Sequence, residues 1–298
     1  MSAQVQLEPG QGAAPTPAAE GRRARLLALL EWAARVDPQF SVSPKLRFVV
    51  SACGGCRVEA VDAIPAGTLL LSANNIPDGG AGDAMVLAET AAAVRRRMVE
   101  LGLGTTWLFP DDLAADAALV ERTFALYLRL MLELLQPDAG EVIGPYLRSW
   151  PPLSAAEQQL PLFWPAADVA HLAGTHAHTR IKYGTEDIDR IGRDVIVPLA
   201  ARCGLTEETA VAYGGVAKLF KYVVATSESR AFGDQDPHLT PVADLLNGCP
   251  DGYNSAKTEL NMVQGRDGGW ANVTTISAAR PLCAGEEVLI SYGELGSA

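Results

Sequence analysis

Three short stretches in the last quarter of the chain carry side chains that could do chemistry together. They are "SRAF" (Ser229 to Phe232), "PVADLLNG" (Pro241 to Gly248) and "AGEEVLISYG" (Ala284 to Gly293). An arginine at 230 can clasp a carboxylate, because its guanidinium is a fixed fork of N–H donors. Asp244 and Asn247, three apart, offer short polar groups, and Tyr292 offers a phenol at the end of an apolar run. Taken singly, each has a plain structural reading: a turn cap, an ion pair, a buried tyrosine with a satisfied hydroxyl. A fourth stretch, "SACGGCRVEAV", adds Cys53 and Cys56 around Gly54 and Gly55. A Cys-x-x-Cys pair is a redox couple, half of a zinc site, or neither.

Local texture decides against the first two. A thioredoxin-like pair is activated at a helix N-terminus, whereas Cys56 leads into an alternating strand-like run. Zinc needs further ligands, and Cys203, Cys249 and Cys283 stand singly. His171, His176 and His178 lie close in sequence but not at the spacing of one helix face, so no metal site is expected there.

Positioning these residues requires a β frame in two parts. "LRFVVSA", "RVEAV" and "TLLLS" between 47 and 72 read as short strands cut by glycines and the Pro65-Ala-Gly67 turn. From Leu239 onward, "TELNMV", "WANVTTIS" and "EEVLISYG" read the same way. Between them lies helical texture. Leu87, Ala91, Val94, Met98 and Leu101 repeat at helical spacing, as do Phe124, Leu128, Met131 and Leu135. A helix is also expected over 22–36, stopped at Asp37-Pro38. Two β stretches flanking a helical block can share one core.

Arg230, then Asp244-x-x-Asn247, then Gly285-Glu286-Glu287 and Tyr292-Gly293, in that order, resembles the end of the SET-domain methyltransferases. The similar branch is the one around Rubisco large-subunit lysine methyltransferase. "GPYLRSWPPL" and "LPLFWPAADVAHLAGT" resemble that branch's helical insertion, and "GCRVEAVDAIPAG" occupies the place of its first glycine-rich turn. The resemblance spans roughly residues 26 to 298.

That resemblance implies an α+β chain: a SET-domain β-fold of short strands with a large helical insertion. Its expected layout is a disordered leader over 1–21 and a SET domain over 22–298, with β core at about 45–75 and 225–298 and insertion at about 76–224. The implied activity is transfer of a methyl group from S-adenosylmethionine to a lysine of a non-histone protein, a histidine target being the minor variant. A silent or truncated SET-fold binding module is the alternative. Tyr292 would be catalytic. Gly54, Gly55, Cys56, Arg230, Asn247 and Gly248 would hold the donor, and Asp244 and Arg230 would serve the substrate side.

Three positions depart from the family pattern. Gly248 stands where a histidine is usual, and Arg57 replaces a glycine, which requires a negative φ. After Tyr292-Gly293 the sequence closes with "ELGSA", so the family's second Tyr-Gly-Phe segment and C-terminal docking domain are expected to be absent.

Composition narrows the partners. The 35 acidic and 24 basic residues leave a net charge of −11, which argues against nucleic-acid backbone binding. No apolar run reaches the about 20 residues needed to span a bilayer. Five cysteines without a secretory pattern suggest an intracellular protein, and a monomer is expected.

Overall fold

The computed structural model describes residues 4–7, 16–52, 55–76, 83–103, 116–136, 143–232, 238–250, 252–264 and 270–291. In chain order they form β1 (Gln4–Leu7), α1 (Pro17–Val36), β2 (Ser41–Val42), β3 (Leu46–Val50), β4 (Cys56–Ala60) and β5 (Leu69–Asn74). Then come α2 (Ala84–Glu100), α3 (Ala117–Leu135), several short helical turns, α4 (His176–Ile191) and α5 (Val216–Glu228). The two-residue strands β6 (Ala231–Phe232) and β7 (His238–Leu239) follow, then β8 (Asn247–Cys249), β9 (Ala256–Gln264), β10 (Trp270–Ala278) and β11 (Leu289–Ser291). The chain divides into two compact units, one of residues 1–77 with 238–297 and the other essentially of 78–237.

The first unit is a set of small sheets. β1 runs parallel to β3, and β3 pairs antiparallel with β4. A second sheet has the order β2-β5-β10-β9, antiparallel throughout. β8 and β11 pair in parallel, Asn247 opposite Leu289 and Gly248 opposite Ile290. Phe48, Val58, Leu70, Ile276 and Val288 are fully enclosed and make the core with Leu26 and Leu29 of α1. Part of the stretch expected to be a disordered leader is ordered: Gln4–Leu7 is a strand, and α1 starts at Pro17. Thr16 explains the early start. Its hydroxyl accepts from Ala19 N, and Pro17 at the first helical position has no N–H to leave orphaned.

The second unit is helical. Asp83 and Asp116 cap α2 and α3 by accepting from the two backbone N–H groups each helix start exposes to them. Leu87, Ala91, Val94 and Met98 are buried along α2, and α2 ends at Leu101 with Gly102 beyond it at φ +62°. Phe124 and Tyr127 of α3 meet Phe220 of α5 with ring centroids 6.0–6.2 Å apart, a cluster of edge and stacked contacts at the centre of this unit. The chain leaves α4 through a π turn, Gly192–Ile196. There Gly192 packs closely against Ala217 of α5, where a Cβ would make ordinary contact at 3.4 Å. The Arg95–Arg97 cluster is a charged helix face: Arg95 pairs with Glu121 at 2.6 Å and Arg97 with Glu100 at 3.0 Å. No helix among the described residues is long and apolar enough to cross a membrane.

Candidate functional site

The β unit brings two of the separated motifs to one place. β3 and β4 form a hairpin whose closing turn is tied by Ser51 N donating to Gly55 O at 2.9 Å. A side chain on Gly55 would put Cβ 3.1 Å from Ser51 Oγ, so the turn is tight enough to favour glycine. Cys56 opens β4 as a strand residue, in the register Val50↔Cys56, not a helix N-terminus. Cys53 and Gly54 lie outside the described residues.

The C-terminal segment then runs along the other edge of β4. Val288 N donates to Val58 O at 2.8 Å, Ala60 N donates to Glu286 O at 2.9 Å, and Glu59 bridges Glu287. Three residues further, β11 pairs with β8, which carries Asn247 and Gly248. One strand segment thus joins the glycine turn to the Asp-x-x-Asn motif. Ser291, the last residue of β11, immediately precedes Tyr292, which itself lies outside the described residues.

Asn247 is the side chain at the junction. Its amide nitrogen donates to Cys56 O at 3.3 Å and to Glu287 Oε1 at 2.7 Å. Those two bonds use both amide hydrogens. The amide oxygen has no protein partner among the described residues, and Asn247 is exposed, so that oxygen is an acceptor presented to solvent. Gly248 beside it is half-exposed, and its missing side chain leaves main chain accessible where the family has a histidine.

Asp244 sits in a 3-10 turn, Ala243–Leu245, half-buried. The turn is entered through Val242, a fully buried β-branched residue at φ +72°. Such a residue in the left-handed half of the map is a genuine outlier, and strain of this kind is held by the surrounding packing. What holds it is a polar cluster the sequence reading did not find. Thr240 Oγ1 and Thr274 Oγ1 lie 2.9 and 3.1 Å from Asn75 Oδ1 and 3.0 Å from each other, both threonines fully buried. Ile76 N donates to Leu239 O at 2.9 Å, so the end of β5 is laced to the approach to the turn. Thr240 stands directly before "PVADLLNG", but its partners are far along the chain and no local spacing signals them.

Arg230 belongs to the other unit. It lies on the turn after α5, half-buried, its N–H donating to Ser227 O at 2.9 Å. Burial and Tyr213 push the Tyr222 phenol well above its usual range, against the lowering pull of the Arg230 charge.

Arg57 resolves its departure simply. It is an ordinary strand residue of β4, and its guanidinium reaches Glu59 Oε1 at 2.6 Å on the same face. Arg47, directly across on β3, reaches Glu59 Oε2 at 2.8 Å. Burial works against the Glu59 charge, but the two guanidinium groups outweigh it and hold the carboxyl below its usual range. A folded value below the unfolded one gives stability above the unfolded value of about 4.5, lost as pH falls through the folded value. Glu59→Gln is expected to destabilise by about 1–2 kcal/mol at neutral pH, the arginines being partly solvated. Urea unfolding at pH 7 and pH 4 checks this: the difference must shrink at the lower pH.

Sequence comparison finds no matching family model and no matching curated protein. Structure comparison finds clear neighbours. A structure described as the SET domain of LSMT bound to lysine and AdoHcy superposes with a TM-score of 0.54 at 17% identity, over 97% of this chain and 56% of that one. Rubisco LSMT bound to AdoMet gives 0.53 at 15% identity, over 95% and 54% of the two chains. Rubisco LSMT bound to sinefungin and monomethyllysine gives 0.52 at 16%, over the same shares. The chain spans about half the length of these structures. The described residues carry the short paired strands and the helical block that the sequence motifs implied, and the chain shares the α+β fold of these SET-domain structures.

Proposed function

We propose that this chain is a protein-lysine N-methyltransferase that uses S-adenosylmethionine and acts on a non-histone protein. The observation that carries the reading is Asn247. Its amide is locked through both N–H groups to Cys56 O and Glu287, so its oxygen is preset as an acceptor beside the main chain of Gly248. That acceptor suits the ammonium end of an amino-acid ligand, with exposed Gly55 and half-buried Cys56 next to it.

When bound, S-adenosylmethionine supplies an electrophilic methyl group on a sulfonium. The chain's own task is placement. Asn247 Oδ1 would receive the ligand's ammonium. Tyr292, next after β11, orients the lysine nitrogen. That nitrogen must arrive without its proton, its ordinary pKa being near ~10.4, so the site has to favour the neutral amine and let the proton pass to water. With the donor bound, holding the neutral amine in line with the methyl group would supply much of the rate. Asp244, on its strained turn, borders the lysine side. The non-histone target follows the Rubisco LSMT resemblance.

Thermal unfolding with S-adenosylhomocysteine tests the reading without needing the target. At about a hundred times its dissociation constant a ligand stabilises by ~2.7 kcal/mol, which raises the midpoint by a few degrees for a chain of this size. No shift at millimolar concentration would remove the donor site and leave a silent SET-fold module.

A further inference from the structure

The C-terminal turn of α1 borders a recess that methyl transfer does not use. Trp32, Val36 and Asp37 of that turn face Asn74 and Asn75, at and just beyond the end of β5, and Pro241. The walls are largely apolar: Trp32 is buried, and Val36 is 46% exposed at the rim. Beside the side-chain amide N–H groups of Asn74 and Asn75, the polar atoms include several acceptors. Asp37 Oδ2 accepts from Asn74 N at 2.7 Å and Oδ1 accepts from Gln39 N at 2.8 Å, and each carboxylate oxygen retains a lone pair. Asn74 Oδ1 is buried and has no hydrogen-bond partner. Asn75 Oδ1 already receives two threonine hydroxyls. The helix adds the negative end of its macrodipole.

Such a lining rejects an anion, and a purely apolar guest would leave Asn74 Oδ1 unsatisfied. Calcium or magnesium would need six or more oxygen ligands, which one carboxylate and one amide do not provide. A guanidinium prefers both carboxylate oxygens side by side, and here each is engaged by a separate backbone N–H. A compact ammonium on a methylene stem meets the requirements: three donors for the acceptors, and a stem that lies along Trp32 and Val36. Among the described residues no ion pair engages Asp37. Arg35 in the same turn is exposed and is not part of the lining.

We infer that the recess of Trp32, Asp37 and Asn74 is a docking site for a lysine side chain of a partner polypeptide, separate from the residues assigned to methyl transfer. The lysine ammonium bonds the Asp37 carboxylate and, once the Asn74 amide turns to meet it, Asn74 Oδ1, while its stem lies along the rim at Val36 and the edge of the indole. Burial already pushes the Asp37 carboxyl above its ordinary range, and an ammonium at this place relieves that.

The test uses the full chain labelled with 15N and reads the Trp32 indole, identified by its loss in Trp32→Phe, and the Asn74 backbone amide. With n-butylammonium chloride at constant ionic strength, both resonances are expected to shift saturably, and n-butanol should leave them in place. A pentalysine peptide should shift the same pair at concentrations at least tenfold lower. Asp37→Asn should weaken the butylammonium effect at least tenfold. Should that variant not fold, the wild type at falling pH gives the same information, because affinity must decline as the Asp37 carboxyl takes its proton. Equal shifts with butanol, no shift at 100 mM butylammonium, indifference to pH and to Asp37→Asn, or no response to pentalysine would each overturn the assignment.

Discussion

Replacing Tyr292 with phenylalanine is expected to lower the rate of methyl transfer about 100-fold while leaving S-adenosylhomocysteine binding nearly unchanged. The change deletes one hydroxyl. If that hydroxyl orients the lysine nitrogen, its loss acts on the alignment of amine and methyl, a contribution that commonly reaches two or more orders of magnitude. It leaves the Asn247 amide and its bonds to Cys56 O and Glu287 intact, so donor affinity has no reason to fall. Labelled donor with a cell lysate, wild type against variant, reads the first quantity, and thermal shift with S-adenosylhomocysteine reads the second. Equal labelling by the two proteins would remove Tyr292 from the chemistry. A lost thermal shift would move its role to the donor pocket.

The second large effect is expected in the helical unit. Glu228 is the last residue of α5, and Tyr127 OH of α3 donates to its Oε1 at 2.8 Å. Desolvation raises the Glu228 carboxyl from 4.5 to about 7, against the pull of the Tyr127 hydrogen bond and the Arg180 charge. The sign follows directly. The folded protein holds this proton more tightly than the unfolded chain, so the group favours folding fully below about 4.5 and the benefit disappears as pH rises through about 7. Glu228→Gln keeps an acceptor for Tyr127 and cannot ionise. Between pH 5 and pH 8 the variant should therefore gain on the wild type by on the order of 3 kcal/mol, measured by urea unfolding at each pH. Parallel curves across that range would show that the carboxyl is solvated. The same position joins stability to function, because Glu228 lies two residues before Arg230 and anchors the end of the helix that presents it.

Much of the framework was legible because it is written in local patterns. "LRFVV" and "RVEA" alternate and are bounded by glycines, and they became β3 and β4. The stripe from Leu87 to Met98 became the buried face of α2. The ordered motifs pointed to the fold, and the chain does bring the Cys56 turn and Asn247 within a hydrogen bond of each other, 191 residues apart in sequence. What stayed hidden depends on partners that no spacing encodes. Glu287 bonds Asn247 while its neighbour Glu286 pairs with Arg280, a division that adjacent identical residues do not signal. Glu59 is held by Arg47 from the neighbouring strand, a partner no local spacing shows. Asn75, Thr240 and Thr274 come from three separate segments, and only folding shows that they support one strained turn at Val242. Part of the expected leader is ordered for a related reason. Its strand Gln4–Leu7 alternates over only four residues, and it exists by pairing with β3.

The seam between β4 and the segment ending in β11 has a consequence for biosynthesis. Val58 and Ala60 take hydrogen-bond partners at Val288 and Glu286, which are made long after the helical segment. A nascent polypeptide therefore carries an open β4 edge through the whole translation of the helical segment, whose contacts are mostly nearer in sequence. Completion of the β frame is therefore a long-range closure, which pays more loop entropy than local helix contacts do. An edge left open until then is of the kind that can pair with other chains.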